Sequence, residues 1–149
     1  MKSIFNSDDN QEMIARINKL APDSKPLWGK MDAAQMLSHC HGPIDVAFGD
    51  LNLKANFFMQ LLGKMFKNKI LNSAEFKKDS PTAPAFIRNE PCDFEQSKKD
   101  LIKKINKFSE LGEKAIKTTK HPFFGEMTHN EWDRLHVMHL DHHMKQFGV

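Results

Sequence analysis

The sequence predicts an all-α protein, a four-helix bundle with a long crossover between its second and third long helices. Three observations favour this fold class. Apolar residues recur every three or four positions in four long segments, the spacing of one helix face. No segment alternates convincingly between apolar and polar residues, and capping patterns precede several of the helical segments. At 149 residues the chain is long enough for a single domain, 1–149, with a substantial core.

The first two helices lie in the N-terminal third of the chain. The first is predicted over residues 8–20, where apolar residues fall at helical spacing. The second begins after Asp32, because Asp32 and Gln35 have the spacing of a capping box, and it runs to about residue 48. Pro43 lies inside this helix and removes the hydrogen bond to the carbonyl four residues earlier. We therefore expect a kink at this point.

The crossover, residues 50–92, is predicted to carry a shorter helix over residues 54–70. One face of this helix is apolar and lysines occupy much of the rest. A basic amphipathic helix can lie on a membrane, but a lid or an added bundle helix is the better interpretation here. We expect its phenylalanines to line a substrate entrance, with the pair Phe123 and Phe124 on the other side. A linker rich in proline, serine and asparagine follows at residues 72–92.

Two further long helices complete the predicted bundle. The third long helix spans about residues 93–111. Gly112 weakens or ends it, and residues 113–120 are a candidate continuation. Thr128 and Glu131 have the spacing of a capping box at the start of the final helix.

Composition gives no support to several classes of function. The formal net charge is +3, which gives no strong argument for binding nucleic acid or an anionic membrane. No apolar run reaches transmembrane length, and the first residues are too polar for a signal peptide. Cys40 and Cys92 form no CxxC motif and no disulfide framework. The sequence thus predicts a cytoplasmic protein.

The final helix carries histidines where a buried helix usually carries leucines. Steps of three and four residues place on one face Trp132, His136, His139, His143 and Gln146. Burying imidazoles without partners is costly, and a transition metal is their usual partner. His139 and His143 have the i,i+4 spacing that puts two imidazoles on adjacent turns. His136 and His139, at i,i+3, form an alternative chelating pair one turn nearer the helix start.

A metal site in a helical bundle usually needs another ligand from a facing helix. His39 is the best candidate, because it shares a helix face with residues of core-facing character: Met36, Pro43 and Val46. His41 lies about 200° further round the helix and should face outward. His142 flanks the histidine stripe and is expected to be either an outer contact of the site or solvated.

Two segments taken together resemble the DinB/YfiT-like superfamily. They are Trp28 to Cys40, which contains Met-Leu-Ser-His39, and His139 to Val149, which reads His-Leu-Asp-His-His-Met-Lys-Gln-Phe-Gly-Val. The likeness covers almost the whole chain and is greatest to a branch described as a domain of unknown function. It implies a four-helix bundle whose metal ligands are His39, His139 and His143. His136 then becomes an outer contact of the metal site or a pocket residue.

Three neutral imidazoles leave coordination positions open, as catalytic rather than structural metal sites do. The ligand set favours zinc or nickel, and iron is compatible with it. The resemblance implies either a metal-dependent hydrolase or a transferase of low-molecular-weight thiols. No convincing carboxylate base accompanies the stripe, which slightly favours thiol transfer. His136 is the better candidate for a proton shuttle, and Gln146 for a hydrogen bond to a ligand or a metal-binding residue.

The predicted partner is a small-molecule substrate, with a low-molecular-weight thiol as one candidate. Binding to nucleic acid or to a membrane is not expected. Dimers are common among the proteins that this chain resembles, so a homodimer stays open. The alternative function is a non-catalytic bundle that binds a metal or another small ligand. A simpler alternative is a dimerising helical protein in which the histidines contribute only to packing.

Overall fold

A computed structural model describes residues 2–80 and 82–149 of the protein. The α-helices are α1 (Ser7–Asn18), α2 (Ala33–Phe48), α3 (Phe57–Leu71), α4 (Phe94–Leu111) and α5 (His129–Gln146). Two 3₁₀ helices span Pro84–Phe86 and Gly112–Ala115, and β1 (Lys120–His121) pairs antiparallel with β2 (Gly125–Glu126). Within the described ranges, none of the helices combines the length and apolar character needed to span a bilayer.

The predominantly helical fold class is confirmed, and local sequence signals set most helix starts. The Asp32 side chain accepts a hydrogen bond from the Gln35 backbone N–H while the Gln35 side chain accepts one from the Asp32 N–H. Thr128 and Glu131 make the same reciprocal contacts at the start of α5. The α2 helix continues through Pro43 to Phe48, so the proline does not end it.

Two expectations about the stretch between α4 and α5 are wrong. Residues 113–120 do not continue α4 as an α-helix. Gly112 adopts φ 58° and ψ −140°, which lies outside the helical region, and only one 3₁₀ turn follows. The chain then forms the β1–β2 hairpin, although no strand was expected from the sequence. Strands of two residues are too short to show an alternating pattern.

Four helices enclose the apolar core. α2 and α4 pack on each other, α1 packs on α4 and α5, and α2 also packs on α5. The largest fully buried aromatic side chains in the described ranges are Trp132 of α5 and Phe108 of α4. Phe108 contacts Phe5 and Phe48 edge-on or at a tilt. This packing holds α2 and α5 side by side, which positions the site described below.

The α3 helix lies outside this core, against α5 and β2. It begins at Phe57, three residues after the predicted start at residue 54. Asn56 is its N-cap, because the Asn56 side chain accepts a hydrogen bond from the Met59 N–H. A Cβ at Gly63 would lie 2.1 Å from the Phe123 carbonyl oxygen, so glycine permits the close contact with the hairpin. Its opposite face is exposed, with Phe57 82% and Met65 67% accessible.

Candidate metal centre

Helices α2 and α5 bring together three histidines, two of them buried and one partly buried. His39 comes from α2, and His139 and His143 come from successive turns of α5. One potential ligand atom from each lies within 4.8 Å of the other two. The Nε2 atoms of His39 and His139 are 3.1 Å apart, and the three ring centroids are separated by 4.7 to 5.0 Å. The sequence therefore anticipated which imidazoles meet.

Backbone contacts fix the orientation of the His39 ring. Its Nδ1 lies 2.9 Å from the Phe86 carbonyl oxygen, in the 3₁₀ helix Pro84–Phe86. Because a carbonyl only accepts, Nδ1 must carry the proton and Nε2 must carry the lone pair. A Cβ at Gly42 would lie 2.4 Å from the Phe86 ring, so the glycine lets this segment approach α2.

A side-chain relay fixes the His143 ring in the same tautomer. Its Nδ1 lies 2.8 Å from Gln146 Oε1, and Gln146 Nε2 donates to the Trp28 carbonyl oxygen at 2.8 Å. The contact with Trp28 assigns the amide orientation, because the amide nitrogen must face the carbonyl. Gln146 therefore accepts from His143 Nδ1–H and leaves His143 Nε2 as the free lone pair. An outer contact of this kind is typical of metal-binding histidines.

Burial keeps the three imidazoles neutral. It lowers the pKa of His143 to about 3, and it lowers the pKa of His39 despite the hydrogen bond to Phe86. The pKa of His139 falls well below its usual value because of burial first and the neighbouring imidazoles second. Neutral imidazole is the form that binds metals. The cluster therefore presents the correct protonation state at neutral pH.

The cluster opens into a cavity of about 650 Å³. His39, His139 and His143 all contribute to its wall, and much of the remainder is aromatic or apolar. Phe123 and Phe124 line it as predicted, but none of the α3 phenylalanines does among the described wall residues. Those side chains are directed to the opposite, exposed face of α3. The expectation that α3 lines the entrance is therefore wrong.

His136 on α5 and His41 on α2 lie outside this cavity wall. His136 is buried between Trp132, stacked at 5.7 Å, and Phe108 at 5.0 Å, and it is not part of the described cavity wall. Burial lowers its pKa to about 3. Its proton-shuttle role stays a prediction that this position does not favour. His41 does not face solvent as expected: its Nε2 lies 2.8 Å from the Ser97 carbonyl oxygen on α4.

Two further histidines line the cavity: the sequence did not indicate a role for His121, and it left that of His142 undecided. His142 lines the wall, with its ring 5.2 Å from that of His143. His121, at the end of β1, also lines it and stacks on Phe124 at 4.6 Å. Its Nδ1 accepts the backbone N–H groups of Phe123 and Phe124, so the proton of the neutral ring lies on Nε2. Because His121 lies in a hairpin, helical spacing could not reveal it.

Replacing Gln146 with alanine is expected to weaken metal binding by about 10–100-fold, because His143 loses the contact that sets its tautomer and orientation. The Gln146→Glu variant keeps the acceptor for His143 but loses the donor to the Trp28 carbonyl oxygen, so it should retain only part of the affinity. Competition with a chromophoric chelator would measure both. Gln11→Ala, an exposed change on α1, is the control. Unchanged affinity in Gln146→Ala would contradict the assigned contact.

Comparison with known proteins adds a family but no activity. A family model described as "Protein of unknown function (DUF1569)" matches residues 2–148. No curated protein matches the chain, and no solved structure matches it.

Proposed function

Since this chain belongs to the family described as Protein of unknown function (DUF1569), we propose its function from its own site: a metal-dependent enzyme that uses a divalent transition metal held by His39, His139 and His143. The reaction class is hydrolysis or the transfer of a low-molecular-weight thiol. The observation that carries this proposal is the convergence of three neutral imidazoles, two buried and one partly buried, in the wall of a cavity.

The residues present fit a zinc, nickel or iron ion. Two of the three imidazoles have Nδ1 engaged by oxygen acceptors, so their Nε2 lone pairs are free. A close approach of two Nε2 atoms, as between His39 and His139, is favourable when a proton or a cation lies between them. Imidazole ligands suit these three metals.

The proposed site is open on the cavity side. Over residues 2–80 and 82–149, no cysteine or carboxylate joins the three histidines as a potential fourth ligand. The Cys40 thiol, next to His39 in sequence, is fully buried and contacts the Met36 sulfur at 3.7 Å instead. Three protein ligands with an open position are the pattern of catalytic sites.

The chemistry supplied by such an ion is Lewis-acid activation of a water or a thiol. The protein supplies a largely apolar cavity and a neutral imidazole, His121, whose Nε2–H is available as a hydrogen-bond donor because its Nδ1 accepts from the backbone. Asp79 is the one carboxylate in the described part of the wall. Thiol transfer is the favoured class, because a thiol is far more acidic than water and needs less help from a protein base.

The resemblance to the DinB/YfiT-like superfamily supports the same proposal. We interpret α1, α2, α4 and α5 as the four helices of its bundle and α3 as an addition within the crossover. Residues 1–149 then form one domain, and a homodimer is compatible with that superfamily. Its three-histidine ligand pattern coincides with the cluster of this chain.

Assays of metal-loaded protein test the proposal. Protein reconstituted with zinc, nickel or iron would be assayed for conjugation of cysteine or glutathione to 1-chloro-2,4-dinitrobenzene and for hydrolysis of p-nitrophenyl esters. We expect at least one metal form to turn over one substrate about 100-fold faster than His139→Ala. His41→Ala is the matched control and should retain activity. Equal rates for native protein and His139→Ala in every assay would contradict catalysis and favour the non-catalytic metal-binding alternative.

A further inference from the structure

Two cationic side chains line the cavity without an anionic partner. Lys30 and Arg88 both belong to its wall, and neither forms an ion pair in the described part of the chain. Asp79 is the single acidic residue in the described wall, and it too has no ion pair there. Cationic groups therefore outnumber anionic ones even before a metal ion is counted.

The structure fixes Arg88 beside the histidine cluster. Its Nε donates to Ser38 Oγ at 3.2 Å, and Nη1 donates to the carbonyl oxygens of Ala85 and Ile87 at 3.1 and 3.2 Å. Ser38 precedes His39 on α2, and Phe86, two residues before Arg88, binds His39 through its carbonyl oxygen. The guanidinium is thus held next to His39 by neutral acceptors, which orient its positive charge without neutralising it.

The remainder of the wall defines what lies beside this charge. Its aromatic side chains include Trp28, Phe76, Phe86, Phe123 and Phe124. A complementary ligand has an anionic group at one end and an apolar, preferably aromatic, body.

We propose that the cavity binds a substrate carrying a carboxylate on an aromatic or otherwise apolar body, with the carboxylate paired to Arg88 and attracted by Lys30. Nε and Nη1 of Arg88 are engaged by Ser38, Ala85 and Ile87, which leaves the two N–H groups of Nη2 to pair with the carboxylate, in a position set by the other contacts. The inference rests on the proposed function in one respect: the reacting end of the same molecule would lie at His39, His139 and His143.

Binding of two matched probes to metal-free protein tests the inference. The probes are 3-phenylpropionate and its neutral amide, 3-phenylpropionamide, with affinities measured by calorimetry or ligand-observed NMR. We expect the carboxylate to bind at least about tenfold more tightly than the amide, as a charge-assisted hydrogen bond implies. Arg88→Gln should remove this preference, and Lys30→Gln should reduce it several-fold. Lys25→Gln, which removes an exposed lysine outside the cavity wall, should preserve it.

Two further variants keep the result interpretable. Lys30 makes no hydrogen bond or ion pair to the described residues, so Lys30→Gln should fold even if loss of the Arg88 contacts prevents folding. Arg88→Lys keeps the charge and should retain part of the preference. Equal affinities for the two probes, or a preference that survives both Arg88→Gln and Lys30→Gln, would overturn the inference. The probe measurement uses metal-free protein, so its outcome does not depend on whether the histidine cluster holds a metal, and failure of the metal proposal would leave the probe result unchanged.

Discussion

Replacing any one of His39, His139 or His143 with alanine is expected to reduce bound metal from about one equivalent to a small fraction of one. Each substitution removes one of the three lone pairs that converge at the cluster. The loss of affinity should exceed the roughly 10–100-fold that removal of an outer contact costs. Metal content after dialysis, measured by mass spectrometry on untagged protein, gives the result directly.

Two matched histidine variants complete this experiment. His41 lies on the same helix as His39, but its ring contacts the Ser97 carbonyl oxygen on α4. The His41→Ala variant should therefore keep the metal. His136 lies one turn before His139 and packs in the core, so the His136→Ala variant should also keep the metal. Loss of metal in His136→Ala and His139→Ala, with retention in His143→Ala, would show that the metal lies one turn nearer the start of α5.

The metal-free protein is expected to lose stability steeply as the pH falls from 7 to 5. Burial lowers the pKa of His136 and His143 to about 3 and that of His121 to about 4. The unfolded chain binds protons at these residues near pH 6.5, whereas the folded chain stays neutral there, so acid favours unfolding. Each group contributes about 2 kcal/mol over this interval, and the three together about 6 kcal/mol, comparable with the whole stability of many domains.

Urea unfolding at several pH values measures this effect. His136→Phe should fold, because His136 packs between aromatic rings and its Nε2 has no hydrogen-bond partner in the described structure. It should reduce the loss of stability between pH 7 and 5 by about 2 kcal/mol. Met138→Leu, a buried change on the same helix with no titrating group, should leave the loss unchanged. Identical pH dependence in native protein and His136→Phe would contradict the neutral, buried state of this histidine.

The helices and much of the histidine cluster were accessible from sequence because both depend on regular spacing. The predicted span of α2, residues 33–48, agrees with the structure because the capping box at Asp32 is a local signal. The four-residue step on α5 favoured His139 with His143, and helical spacing gave His39 a core-facing position on α2. The choice of this pair over His136 with His139 came from the family resemblance. His136 has similar spacing but packs between Trp132 and Phe108, which only the tertiary arrangement decides.

The parts that sequence could not provide depend on long-range contacts. The segment around Phe86 reaches His39 across 47 residues, and Trp28 meets Gln146 across 118. Arg88 and His121 enter the cavity from irregular segments that have no periodicity to interpret. The hairpin that carries His121 has strands of only two residues and follows a glycine whose backbone angles ended the preceding helix.

Anomalous diffraction from crystals of zinc-loaded protein tests the central claim most directly. We predict one metal peak, coordinated by nitrogen atoms of His39, His139 and His143 at about 2.0–2.1 Å. Its remaining coordination should face the cavity and be filled by solvent or a small ligand. The absence of a peak at this cluster, or a peak whose ligands include His136 in place of His143, would contradict the account.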